Sequence, residues 1–222
     1  MSIVAVIAPH PDDETLGCGG TILKHLNAGD EVHWIIVTQI SEEVGFSKDR
    51  IRTRRNEVKQ VADAYNMTSY SWLEHVATTL SPNTLSDLIG DLSGVINRLK
   101  PDQLYVPYPG DIHSDHEVVF NAIAACSKSF RYPFIKKICC YETLSETEFS
   151  VNPMNPVFKP NLFVDISDYL ERKIDIMHLY KGEILPVPFP RSEENMRALA
   201  RYRGAVAGCS MAEAFMILKE VI

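Results

Sequence analysis

Apolar positions along this chain alternate between two kinds of run. Residues 3–8 are apolar without a break, the pattern of a parallel strand buried on both faces. Residues 15–26 then read as a helix, with Gly29 as the residue that closes it, because a left-handed C-terminal cap favours glycine. A second strand is expected at 32–37. Val58, Val61, Ala62 and Tyr65 recur at helical spacing, which predicts an amphipathic helix over 49–65. A short strand at 70–73 follows. Leu85, Leu88, Leu92, Val95, Ile96 and Leu99 mark another helix, and Pro101 turns the chain into a strand at 103–106. Beyond it we expect a helix at 118–127, a strand at 137–141 and a long surface loop at 142–161 that carries Pro153, Pro156 and Pro160. The remainder reads as a strand at 163–166, a helix from an Asp168 cap to Tyr180, a helix from a Ser192 cap to about Val206, and a last strand at 213–218. Strands alternating with helices imply right-handed βαβ units. The expected architecture is one α/β domain over 1–222, Rossmann-like, with a mainly parallel sheet flanked by helices and an irregular C-terminal third.

Composition narrows the function classes. Hydrophobic residues make up 45% of the 222, enough for a sizeable core, and the net charge of −7 argues against a broad nucleic-acid surface. The five cysteines are odd in number and form no Cys-x-x-Cys pair, so we expect them reduced and mostly buried, as in a cytoplasmic protein. No apolar run approaches the ~18 residues of a membrane span. The apolar N-terminus has no basic flank and runs into a charged motif, unlike a signal peptide.

That motif is one of two that carry candidate chemistry. Pro9-His10-Pro11-Asp12-Asp13-Glu14 follows the first strand, and His113-Ser114-Asp115-His116 follows the strand at 103–106. In an open parallel sheet every strand ends at the same edge, so both runs belong at one ligand-binding rim despite their separation in sequence. His nitrogens and carboxylate oxygens bind Zn²⁺, and a catalytic site needs three protein ligands and an open position. His10, Asp12, Asp13, His113, Asp115 and His116 are six candidates for three places. A spare aspartate can serve as a base and a spare histidine can steady an oxyanion. Taken alone, the first run equally suits a turn with a helix cap, and the second a solvated loop.

At these residues the sequence resembles the LmbE/PIG-L family of zinc-dependent N-deacetylases, which act mostly on N-acetylglucosamine derivatives. The likeness is densest at Ala8 through Gly17, Arg54 to Glu57, Gly110 to His116, and Arg203-Gly204 through Phe215. It implies His10, Asp13 and His116 as zinc ligands, Asp12 as general base and a protonated His113 as the oxyanion stabiliser, oriented by Asp115. Arg54 falls at a substrate-contacting position of the family, although in a cluster with Arg50, Arg52 and Arg55 a solvated helix face is the plain alternative. The implied reaction is hydrolysis of the acetamide of a small-molecule N-acetyl sugar conjugate, with Zn²⁺ as cofactor and Fe²⁺ as the alternative, since His/Asp sites select weakly between them. Family members form different oligomers, so a homo-oligomer stays open. Tyr141 to Thr143 and Phe130-Arg131 are further candidates to line the pocket.

The main rivals are a non-catalytic metal-binding module and a nucleotide-binding Rossmann-like one. Gly17-Cys18-Gly19-Gly20 invites the second, but the third fingerprint glycine is replaced by Ile22 and no acidic residue ends the second strand.

Overall fold

The structure is a computed structural model that describes every residue except 153, 155 and 156. Seven strands form one sheet in the order β3-β2-β1-β4-β5-β7-β6. In chain order the elements are β1 (Ile3–Ala8), α1 (Asp13–Asn27), β2 (Glu31–Gln39), α2 (Lys48–Tyr65), β3 (Ser69–Val76), α3 (Leu85–Leu99), β4 (Gln103–Pro107), α4 (Ser114–Ala125), β5 (Lys137–Tyr141), β6 (Leu162–Asp165), α5 (Leu170–Met177), α6 (Glu193–Ala207) and β7 (Ala212–Glu220). Strands β3, β2, β1, β4 and β5 run parallel, and β7 pairs antiparallel with both β5 and β6.

The unbroken apolar run of β1 has its reason in this layering. Val4, Val6 and Ala8 face a core built with Trp34, Val58, Val61 and Ile174, while Ala5 and Ile7 face a second core with Leu88, Leu92, Ile96 and Val119. A strand buried on both faces has no position left for a polar side chain.

The expected helices and strands are present, most with ends shifted by one to four residues. One cap differs. Tyr169, not Asp168, precedes α5, which runs only to Met177, and Asp168 makes no capping bond. Ser192 does cap α6, its Oγ accepting the Asn195 N–H at 3.2 Å. The C-terminal third holds the two strands and two helices expected there, joined by irregular connections. Pro153 and Pro156 of the expected long loop lie outside the described residues.

The glycine run in α1 is a packing device. A Cβ on Gly17 would sit 2.3 Å from the Tyr141 ring, on Gly19 2.8 Å from Lys173, and on Gly20 2.6 Å from Ile166. Only bare backbone lets α1 lie this close to β5 and α5. Strand order reverses between β1 and β4, and in open α/β sheets the crevice beyond that reversal is where ligands bind.

Candidate active site

His10 to Asp13 leave β1 at this crevice, and His113 to His116 open α4 just after β4. The two motifs meet there. Asp13 Oδ2 lies 3.2 Å from His10 Nδ1 and 3.4 Å from His116 Nε2. One ligand atom from each of His10, Asp13 and His116 falls within 4.8 Å of the others. His116 is fully buried, yet its Nε2 has no hydrogen-bond partner among the described residues. A buried polar atom left unpaired is costly and calls for an explanation. Its other nitrogen, Nδ1, is held by Asp111 Oδ2 at 2.7 Å. This is the arrangement of a metal-ligating histidine, where a carboxylate fixes one nitrogen and the other points at the ion. The donor set, two imidazoles and a carboxylate, suits Zn²⁺ or a similar divalent ion.

The electrostatics agree. Burial works against a charged His116, but the Asp13 charge and the Asp111 hydrogen bond raise it to about 10. His10 is raised to about 9, its bonds to Asp115 and Asp13 outweighing burial. Asp13 is held well below the usual carboxylate range, because the two histidines overcome its desolvation. The surrounding carboxylates therefore draw protons onto the two rings, and a bound dication would displace them.

Asp12 stands beside this group in an unusual conformation. Its φ is 132°, a region that L residues rarely occupy. Its carbonyl accepts the Thr15 and Leu16 N–H groups, and its own N–H donates to Glu14 Oε2 at 3.0 Å. Glu14 is in turn held by the hydroxyls of Thr15 and Tyr180. Burial raises the Asp12 carboxyl to about 7 against the lowering effect of Arg191, whose Nη1 lies 2.9 Å from Oδ2.

His113 packs edge-on against His10, with ring centroids 4.4 Å apart. Its Nδ1 accepts the Asp115 backbone N–H at 3.2 Å, so in the neutral ring the proton sits on Nε2. Burial, then the charges of His10 and His116, push His113 down to about 4. This lowering favours a neutral ring, which still has an N–H to donate, over the protonated form that the resemblance implies. The hydrogen bond between Asp115 and His113 is this backbone one, although a carboxylate oxygen of Asp115 also lies within 4.8 Å of a His113 ring nitrogen. Its carboxylate goes instead to His10 Nε2 at 3.0 Å and to the Thr78 N–H at 2.7 Å.

The cleft above these groups is about 220 Å³ and is lined by His10, Asp12, Arg54, His113, Glu146 and Arg191 among others. Arg54 reaches its wall but is already committed. It donates to the Pro11 carbonyl at 2.9 Å, pairs with Glu57 and Glu183, and lies over the Tyr180 ring. Tyr141 is buried with its hydroxyl on the Ile7 carbonyl, and Glu142 pairs with Arg203. Glu142 and Thr143 line a larger neighbouring cavity of about 830 Å³ rather than the cleft, and exposed Phe130 lines neither. Sequence reasoning missed Asp111 and Glu146 as site residues, and it reached Glu183 and Arg191 only as the ends of a proline-rich segment expected to shape substrate choice. Asp111 sat within a motif block, whereas Arg191 carried no signal beyond a proline-rich stretch.

A family model described as PIG-L, GlcNAc-PI de-N-acetylase, matches residues 5–127. This chain belongs to the PIG-L family. Diacetylchitobiose deacetylase of Thermococcus kodakarensis is 28% identical over 95% of this chain and 80% of its own length. The N,N'-diacetylchitobiose deacetylase of Pyrococcus horikoshii superposes with a TM-score of 0.77 at 24% identity, over 98% of this chain and 84% of that one. The 4-carboxy-2-hydroxymuconate hydratase GalB of Pseudomonas putida also superposes, at 0.78 and 16% identity, over 100% and 98%. PIG-L members thus share their fold with a hydratase, and fold similarity alone does not fix the reaction.

Proposed function

We propose that this PIG-L protein is a zinc-dependent hydrolase that removes the acetyl group from an N-acetylated amino sugar of the N-acetylglucosamine type. The observation that carries this reading is the convergence in one cleft of a three-residue ligand group, a buried carboxyl near pKa 7 and a histidine with a free N–H donor. His10, Asp13 and His116 would hold the ion. When bound, it supplies Lewis acidity, polarising the acetamide carbonyl and making water nucleophilic near neutral pH.

The chain's own residues account for the proton and charge transfers. Asp12 takes a proton from the attacking water, and a base near pKa 7 suits this role at neutral pH. Oxygen adds to the acyl carbon, and charge develops on the former carbonyl oxygen. The Nε2–H of neutral His113 donates to that oxygen. Asp12 then returns its proton to the sugar nitrogen as the C–N bond breaks, leaving acetate and a free amine. Asp115 fixes His10, and Asp111 fixes His116. Arg54 serves the cleft wall and orients the chain at Pro11.

Acetate release tests the reading. Metal-loaded and chelator-treated protein would be assayed on N-acetylglucosamine, a nucleotide-linked N-acetyl sugar and an N-acetylglucosaminyl glycoside. Metal-dependent acetate from at least one is expected. None from any, with zinc bound, would favour a non-catalytic metal protein.

A further inference from the structure

Arg191 lies in the connection between α5 and α6 and carries no assigned role. Its guanidinium reaches four partners. Nε donates to Ser145 Oγ at 2.7 Å, Nη1 to Asp12 Oδ2 at 2.9 Å and Glu183 Oε2 at 3.0 Å, and Nη2 to Glu146 Oε1 at 3.3 Å. A guanidinium has five N–H donors, so this fork is nearly saturated. It has little left to offer a ligand. It also bonds to none of His10, Asp13 and His116.

Among the described residues, no other hydrogen bond reaches the Asp12 carboxylate. The backbone of Asp12 is fixed by the start of α1 and by Glu14. The carboxylate's rotation about χ2 is not fixed by either, and this torsion is intrinsically soft for aspartate. Arg191 supplies the missing restraint. Its own position is set by Ser145, Glu146 and Glu183, and Glu183 is anchored to Arg50 and Arg54 of α2. We infer that Arg191 is a positioning residue that holds the Asp12 carboxylate in its reactive orientation, through a brace tying the α5–α6 connection to α2 and to the segment after β5.

This inference rests on Asp12 being the base, and the test separates the two. Zinc-loaded R191A and wild type would be crystallised, and their kinetics measured on whichever N-acetyl sugar yields most acetate. In R191A the Asp12 carboxylate is expected to rotate away or to occupy several orientations, with zinc content unchanged. Turnover is expected to fall about 100-fold, the scale of a misplaced catalytic group, with KM within about threefold. Methylguanidinium should restore part of kcat to R191A. R191K should recover less than a planar fork would, because lysine offers a point charge. In a D12N background R191A should cost nothing further.

An unmoved Asp12 in R191A would overturn the inference whatever the activity. So would loss of zinc, which would make Arg191 structural, or a raised KM at constant kcat, which would make it a substrate contact. If D12N alone kept the wild-type rate, the base assignment would fall, while the crystallographic comparison would still decide what holds the carboxylate.

Discussion

Helix α1 touches two buried polar clusters, one at its N-terminus and one along its middle, and they are finished differently. In the middle, Glu213 of β7 accepts the Gly20 N–H at 2.9 Å, the Thr21 N–H at 2.7 Å and the Thr21 hydroxyl at 2.6 Å. Lys173 of α5 closes the group, donating to Glu213 at 2.7 Å and to the Leu16 carbonyl at 2.8 Å. Both Glu213 oxygens are engaged, and no atom of the pair is left over. At the N-terminus the accounts do not close. Among the described residues, His116 Nε2 and Asp115 Oδ1 are buried without a hydrogen bond, Asp12 is strained, and its carboxyl is pushed up to about 7. Both clusters place charge in the interior. The closed one fastens α1 to β7 and α5, and the open one leaves lone-pair atoms free for something the chain does not itself contain. Unpaired ligand atoms gathered around one cleft, rather than buried charge as such, distinguish the candidate site from the closed cluster.

That contrast can be broken by mutation. Asp13→Ala should have the largest effect, cutting zinc content measured by mass spectrometry to less than about a tenth of wild type, since a three-ligand site does not survive loss of one. Retained zinc would remove Asp13 from the ligand set. Asp12→Asn should keep zinc but lower kcat about 1000-fold, within the range of a lost general base. In the closed cluster the effect should instead fall on stability. Lys173→Met strips one partner from a buried pair and should cost about 3 kcal/mol in denaturant unfolding, the low end for such a loss because Glu213 keeps its three other donors. If unfolding were unchanged and zinc lost, the two clusters would not be the separate units described here.

Asp111→Asn probes the border between the two behaviours, since Asp111 is buried and satisfied yet supports a ligand. Zinc affinity by competition with a chelator should fall about 10- to 100-fold with the fold intact. The smallest effect belongs to an ordinary surface tie. Asp30 binds the Ser2 N–H at 2.7 Å and His25 Nδ1 at 2.8 Å, and Asp30→Ala should cost about 1 kcal/mol. Burial opposes its ionisation, but the His25 and Ser2 bonds win and hold its pKa low. Its contribution is therefore present at neutral pH and is lost as pH falls through that lowered value, so wild type and variant should converge in strong acid.

Much of the site was legible because its chemistry is local. His10, Asp12 and Asp13 are fixed relative to one another by a single turn, and His113, Asp115 and His116 by the first turn of a helix. Strand periodicity then sufficed to bring the two turns to one rim. Arg191, Glu183 and Glu146 were not legible, because they come from connections whose path follows no period. Their role exists only as contacts. Asp115 shows a subtler limit. It was expected to orient His113, and its backbone N–H does bond to that ring, while its carboxylate turns to His10 and the Thr78 N–H. Which atom of a residue faces a neighbour depends on side-chain torsions that spacing does not constrain. Asp168 failed as a helix cap for a related reason, since a favourable residue type does not set where the backbone enters the helix.

The sequence by itself determined the alternation of strands and helices, the burial of β1 on both faces, the two polar runs and their common edge. Each of these follows from periodicity and from the parallel direction of successive strands. The tertiary structure alone decided that β7 inserts antiparallel between β5 and β6, that the glycines of α1 serve packing rather than a phosphate, that burial and neighbouring charges push His113 down, and that Arg191 meets Asp12. These depend on packing distances and on charges brought together from distant parts of the chain, which a one-dimensional pattern does not carry.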